Sequence, residues 1–408
     1  MFVARSLKKK TTQTVLKYFK RFRKCKGKCP PPDDKSQVDK VTILGSANPL
    51  GQYLAFLLKG QEVIRNLALY DEKNVRGVAL DLEHISTKCK VKGNTGEHGM
   101  KDALRHSDII IITNGYNKPV EENEGSLREN AKIIYKYGIK IASICPEALV
   151  CIITPPINIM VPLFSEAMRF CCAYDPNKIF GVCSLMEMRA NTIIGEYLGI
   201  DPAAVRVPIV GGTSNLTAVP LLSHAKPYSE FTLAEMKQLV SGILEAPSGC
   251  SKMKTDAPLS TAFAITRFVL TLAAGLCTCN CAKQTAFVRS NVLSQVKYFA
   301  SEVRTSSKGA IANFGLPKLH DYELELLSMG MVSLEKDIAK AERLFEEFNS
   351  ETKEEPLKEK FTSEKPFISK TPCPPCPSCI PTDICSHAVP KKLSGPPRTN
   401  SPCFCCCR

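Results

Sequence analysis

The strongest constraint on how this chain folds lies between Val41 and Asp71. Val41-Thr42-Ile43-Leu44 is a short β-branched and aliphatic run. The turn Gly45-Ser46-Ala47-Asn48-Pro49-Leu50-Gly51 follows, then an amphipathic stretch from Gln52 to Lys59, then Leu67-Ala68-Leu69-Tyr70 ending in Asp71. Strand, glycine turn, helix, strand and acid in this order is the dinucleotide-binding βαβ pattern. The helix N-terminus offers N–H groups to a pyrophosphate, and the acid offers acceptors to a ribose hydroxyl. Gly45, Gly51 and Asp71 are therefore the first candidate cofactor residues. The turn departs from G-x-x-G-x-x-G at Asn48 and Pro49. Asn accepts positive φ better than other non-glycine residues, so the turn is expected to survive. The Asn48 side chain still crowds the approach of a pyrophosphate. On these residues alone, a nucleotide site and a βαβ unit that keeps its shape without a ligand are equally good readings.

Beyond this unit the pattern goes on alternating. Ser107–Thr113 reads as a buried parallel strand, Asn130–Ala142 as a helix and Val150–Thr154 as a strand. From about Leu185 the character shifts, with a helix at Arg189–Leu198 and a strand at Val205–Val210. Long helices are expected at Leu233–Leu244, Ala257–Ala274 and Tyr322–Phe348. The expected fold is α/β: a Rossmann-type doubly wound parallel sheet over residues 39–184, and a mixed α/β C-terminal lobe over 185–349 that closes over it. A length of 408 residues with 44% hydrophobic content suits two such lobes. No apolar run is read as membrane-spanning. Leu149–Leu163 and Phe268–Leu276 are short or broken by proline and fit buried elements.

The two ends differ from the body. Residues 1–28 hold eleven Lys and Arg and no acid, so much of the net charge of +14 sits there. A basic tail alone does not support a nucleic-acid function. Val15, Phe19 and Phe22 share a helical face flanked by Lys17, Lys20, Arg21 and Arg23. That is the physics of a mitochondrial transit peptide over residues 1–38, and it places the protein in the matrix. A basic extension without that role is the other reading. Residues 350–408 are rich in Pro, Lys, Ser, Thr and Cys and lack periodicity, as in a disordered tail. The tail holds Cys373, Cys376, Cys379, Cys385, His387, Cys403 and Cys405 to Cys407. Its C-x-x-C spacing suits zinc, but the interleaved prolines fit no fixed tetrahedral frame. Disulfide-linked partners and a tail with no such role are the other readings, and no metal site is assigned. The scattered body cysteines read as small buried hydrophobes in a reducing compartment.

Several longer motifs carry a resemblance. They are Leu67-Ala-Leu-Tyr-Asp71, Gly77-Val-Ala-Leu-Asp81-Leu-Glu-His84-Ile, Cys145-Pro-Glu-Ala148, Pro176-Asn-Lys-Ile-Phe-Gly-Val182, Arg189-Ala-Asn-Thr192 and Val207-Pro-Ile-Val-Gly-Gly212. Through them the chain from Val41 to Phe348 resembles the lactate/malate dehydrogenase family, in its mitochondrial-type branch. The resemblance implies NAD as cofactor, held through Gly45, Gly51, Asp71 and Gly115. It also implies malate and oxaloacetate as substrates and a homodimer.

Carried over residue by residue, the chemistry does not survive. The reaction moves a proton through a His held by a carboxylate. In the family that His follows the Gly-Gly pair; here Thr213 follows Gly211-Gly212. The carboxylate of Leu-Asp-x-x-Arg falls on Met186 in Leu185-Met186-Glu187-Met188-Arg189. Glu187 is one residue on, turned about 100° around a helix. His224 and Arg128 lie too far along the chain to be substitutes. Of the three arginines that hold a dicarboxylate, only Arg189 remains, and Asn117 and Asn123 stand at the two loop positions. Glu121, Glu122 and Glu124 add negative charge to that loop. Near the nicotinamide, the first Asn of the family's Asn-Pro-Val-Asn motif is Pro155. The expectation is a scaffold kept after catalysis was lost, with weakened NAD binding and a structural or interaction role. The alternative is an active NAD-dependent oxidoreductase acting on malate or another 2-hydroxy acid.

Overall fold

The structure, a computed structural model of the chain, describes residues 37–116, 124–253, 258–277 and 282–354. The expectations for the basic extension, for Asn117 and Asn123 and for the cysteine-rich tail lie outside these residues.

One sheet of eleven strands runs through the molecule. Its first half is built from β1 (Val38–Leu44), β2 (Ile64–Asp71), β3 (Lys90–Thr95), β4 (Ile109–Ile112), β5 (Leu149–Ile152) and β6 (Ile179–Val182). These six are paired in parallel in the order β3-β2-β1-β4-β5-β6. That is the doubly wound order expected from the sequence, with the reversal between β1 and β4. A central parallel strand is covered on both faces, so it reads as an unbroken apolar run. Ile109, Ile110, Ile111 and Ile112 are all 0% exposed.

The helices of this half are α1 (Pro49–Lys59), α2 (Arg76–Glu83), α3 (Gly96–Leu104), α4 (Glu124–Ile144) and α5 (Ile157–Phe170). Leu50, Leu54 and Leu58 of α1 pack under β1 and β2 in one core. Ile134, Tyr137 and Ile141 of α4 join Leu163 and Phe164 of α5 in the core on the other face. Fully burying one such side chain is worth about 1.5–3 kcal/mol, so these two layers supply most of what holds the sheet in place.

The second half continues the same sheet. Helix α6 (Ser184–Leu198) leads to short strands β7 (Ile209–Gly211) and β8 (Ala218–Pro220), then to α7 (Leu233–Met253) and α8 (Pro258–Cys277). A meander of β9 (Ala282–Arg289), β10 (Tyr298–Ser306) and β11 (Gly309–Asn313) follows, and α9 (Asp321–Glu354) ends the described chain. Strand β9 pairs antiparallel with β6, which joins the two halves into one sheet. The expected strand at Val205–Val210 shrinks to Ile209–Gly211. Ahead of it, only Arg206 bridges to Lys226. Helix α8 also runs longer than its expected bounds. By length and composition it is long and apolar enough to cross a membrane, but 67% of its most apolar window is buried. Ala262, Ile265, Phe268 and Leu272 pack it against the sheet as a core helix.

Candidate functional site

The candidate cofactor cleft lies at the C-terminal ends of β1, β2 and β4. Gly45 has φ +91°, and a Cβ there would stand 2.6 Å from the Asn114 nitrogen, so only glycine lets the turn press against the end of β4. A Cβ on Gly51 would meet the Gly45 carbonyl oxygen at 2.5 Å, which fixes the close approach of α1 to the turn. Both glycines thus keep their architectural roles. Asn48 does not behave as expected. Its φ is −77°, extended rather than left-handed, and it is the N-cap of α1. Its Oδ1 accepts from the Gly51 N–H at 2.7 Å, and its Nδ2 donates to the Thr113 carbonyl at 3.1 Å. Pro49 then occupies the first helical turn, where a missing N–H costs nothing. The pair that breaks the glycine motif is a helix-start signal.

Asp71 closes β2 and is 9% exposed. Its Oδ2 accepts from the Ala47 N–H at 3.0 Å and its Oδ1 from the Lys73 N–H at 3.2 Å. A carboxylate has roughly four lone-pair sites, so capacity for ribose hydroxyls remains. Gly115 follows β4 with φ +75°, packed against the buried Asn130, whose Nδ2 donates to the Pro155 carbonyl at 3.0 Å. Asn130 Oδ1 has no donor among the described residues. Tyr116 reaches from the loop after β4 to α8, where its hydroxyl meets that of Thr261 at 2.5 Å. The glycine cradle and Asp71 therefore fit the adenosine end of NAD. Pro155, where the sequence comparison expects an amide side chain, instead offers its carbonyl to Asn130.

The candidate catalytic positions have different surroundings in the fold. Thr213, after β7, donates both its N–H and its Oγ1–H to Asn158 Oδ1, at 2.9 and 2.8 Å. Asn158, on α5 and 1% exposed, donates through Nδ2 to Thr217 Oγ1 at 3.1 Å and to Asp337 Oδ2 at 3.0 Å. Burial raises the Asp337 pKa, opposed by the Asn158 hydrogen bond and by the charge of Lys340. Asp337 sits on α9, far along the chain, and no sequence signal connects it to Thr213.

Met186, where the sequence reading expects an orienting carboxylate, is buried in an apolar cluster with Ala190, Ile194, Ile209 and Ala218. Glu187 faces Arg206, with 3.9 Å between its Oε1 and the arginine Nε, and not Thr213. Burial raises its pKa, opposed by Arg206 and by a hydrogen bond with Thr285. Arg189 is half-buried one turn beyond Met186 on the same helix. His224 and Arg128, the two residues weighed as substitutes, each have partners of their own. The His224 ring bonds the Lys318 carbonyl at 2.7 Å, and Arg128 pairs with Glu347 and Glu351 beside Phe348. Among the described residues no cluster of His, Cys, Asp and Glu has the makings of a metal site.

Comparison with known proteins matches both halves. Residues 39–181 match the profile described as lactate/malate dehydrogenase, NAD binding domain, and residues 183–345 match lactate/malate dehydrogenase, alpha/beta C-terminal domain. Human mitochondrial malate dehydrogenase is 35% identical over 307 residues, 74% of this chain and 90% of the relative. The Caenorhabditis elegans mitochondrial malate dehydrogenase is 36% identical over 309 residues, 75% of this chain and 90% of the relative. Among solved structures, Plasmodium falciparum malate dehydrogenase superposes with a TM-score of 0.66 at 22% identity, covering 75% of this chain and 99% of the other.

Proposed function

The chain belongs to the lactate/malate dehydrogenase family, and from that footing we propose that it is a member that no longer turns over malate and serves as a structural or interaction protein. Its first half is the family's NAD-binding domain, and NAD is its cofactor. The observation that carries the reading is at the two proton-handling positions. The Thr213 hydroxyl is committed to Asn158, and Met186 is packed in apolar surroundings. A threonine hydroxyl does not titrate near neutrality, and a thioether cannot orient an imidazole. General acid–base catalysis contributes about 10²–10⁴-fold, and each lost charge-assisted contact to a substrate carboxylate about 1.5–3 kcal/mol. Asn117 and Asn123 remove two such contacts.

The proposed setting is the mitochondrial matrix, supported by the basic amphipathic stretch in residues 1–38 and by the mitochondrial relatives. The proposed assembly is a homodimer. Its support is an apolar face on two helices that pack together: Tyr53 and Phe56 on α1, Leu259 and Phe263 on α8. Phe56 is 58% and Phe263 50% exposed, a large amount of aromatic surface for two packed helices to leave in water. In this reading the cysteine-rich tail links such blocks to disulfide partners. The test is turnover: NADH should bind without being oxidised when oxaloacetate is added, whereas oxaloacetate-dependent oxidation at the rate of an active relative would restore the oxidoreductase reading.

A further inference from the structure

We propose that Asn48 is a built-in competitor for the diphosphate of a dinucleotide, so that this cleft accepts an adenosine moiety more readily than the pyrophosphate attached to it. The proposal deepens the NAD site on which the proposed function rests. In an open doubly wound sheet, the ligand enters the crevice where the strand order reverses. Here that crevice lies between β1 and β4, and the Asn48 carboxamide spans it. Oδ1 takes the Gly51 N–H on the helix side, at 2.7 Å, and Nδ2 holds the Thr113 carbonyl at the end of β4, at 3.1 Å.

The donors a phosphate needs are largely spent. Gly45 and Ser46 donate their N–H groups to the Tyr70 carbonyl, Ala47 to Asp71, Gly51 to the Asn48 side chain and Gln52 to the Asn48 carbonyl. Pro49 has no N–H. From Gly45 to Gln52, only the amides of Asn48 and Leu50 lack an acceptor among the described residues. Anion binding at a helix start depends on several such amides converging on one ligand. The ribose acceptor, Asp71, is untouched by Asn48. The carboxamide thus occupies the diphosphate's place and leaves the adenosine's place open.

The experiment titrates the full chain with NADH, read by the nucleotide's own fluorescence, since the protein has no tryptophan. ADP-ribose and adenosine are measured by competition. Asn48→Gly removes the carboxamide and keeps a tolerated N-cap. It should tighten NADH and ADP-ribose by about tenfold or more while adenosine stays within about twofold. Asn48→Asp keeps the cap, adds a negative charge and should weaken NADH by about tenfold with adenosine unchanged. If Asn48→Gly fails to fold, Asn48→Ser, which keeps a preferred N-cap and removes the carboxamide without adding charge, decides by the same tightening of NADH. Equal NADH affinity in wild type and variants overturns the proposal, as does adenosine following NADH or no NADH binding by any of them. Malate turnover enters none of these measurements, so an active wild type would end the pseudoenzyme reading and leave this comparison intact.

Discussion

Thr213 and Asn158 are joined twice, by the backbone N–H and by the hydroxyl of Thr213, both donating to one side-chain oxygen. The amide end of Asn158 then holds Asp337 of the last helix. Thr213, at the position proposed for proton handling, is part of a hydrogen-bond chain that runs through Asn158 to Asp337. Such a chain rigidifies the loop after β7, and neither Thr213 nor Asn158 brings to it a group that exchanges a proton near neutrality.

Rebuilding the proton-handling pair should fail to restore turnover. Met186→Asp alone puts a carboxylate among Ala190, Ile194 and Ile209 and should destabilise the fold by about 3 kcal/mol. Adding Thr213→His should recover part of that loss by giving the acid a partner. Urea unfolding of the two single variants and the double variant measures this coupling. Malate oxidation by the double variant should stay near background, because the loop still carries Asn117 and Asn123.

Dimerisation should depend on the α1–α8 face. Phe56→Glu together with Phe263→Glu should convert a dimer into a folded monomer, since neither side chain supports the protomer's own core. Light scattering after size exclusion measures the mass. A dimer that persists in this variant would place the interface elsewhere.

Stability should respond to pH through Asp337. Burial raises its native pKa above the ordinary aspartate value. The folded chain therefore holds more protons than the unfolded chain in the window between those values. The contribution is fully present below the unfolded pKa and is lost as pH rises through the native one. Asp337→Asn retains an acceptor for Asn158 and should flatten the fall in stability with rising pH, measured by urea midpoints between about pH 4 and pH 8.

The parallel half of the fold is legible in the sequence because its signals are local. The apolar run from Val41 to Leu44 adjoins the glycine turn, and Ile109–Ile112 is a single unbroken apolar run. The start of α1 is harder to place, because Asn48 and Pro49 look like damage to a phosphate motif, when a cap followed by proline is also how a helix begins. The β9–β11 meander escapes pattern reading because β9 is buried at nearly every position and shows no alternation. In the site, the candidate positions Thr213 and Met186 can be read from their spacing to Gly212 and Arg189. The Asp337 contact cannot, because it joins α9 to α5 across 179 residues from Asn158.

The most direct measurement is the initial rate of oxaloacetate-dependent NADH oxidation, taken beside a mitochondrial malate dehydrogenase at saturating substrate. The proposed loss of the acid–base pair and of two cationic contacts predicts a rate at least about 10⁴-fold lower for this protein. A rate within about tenfold of the relative's would contradict loss of catalysis, and would mean that other groups near Asn158 and Arg189 move the proton.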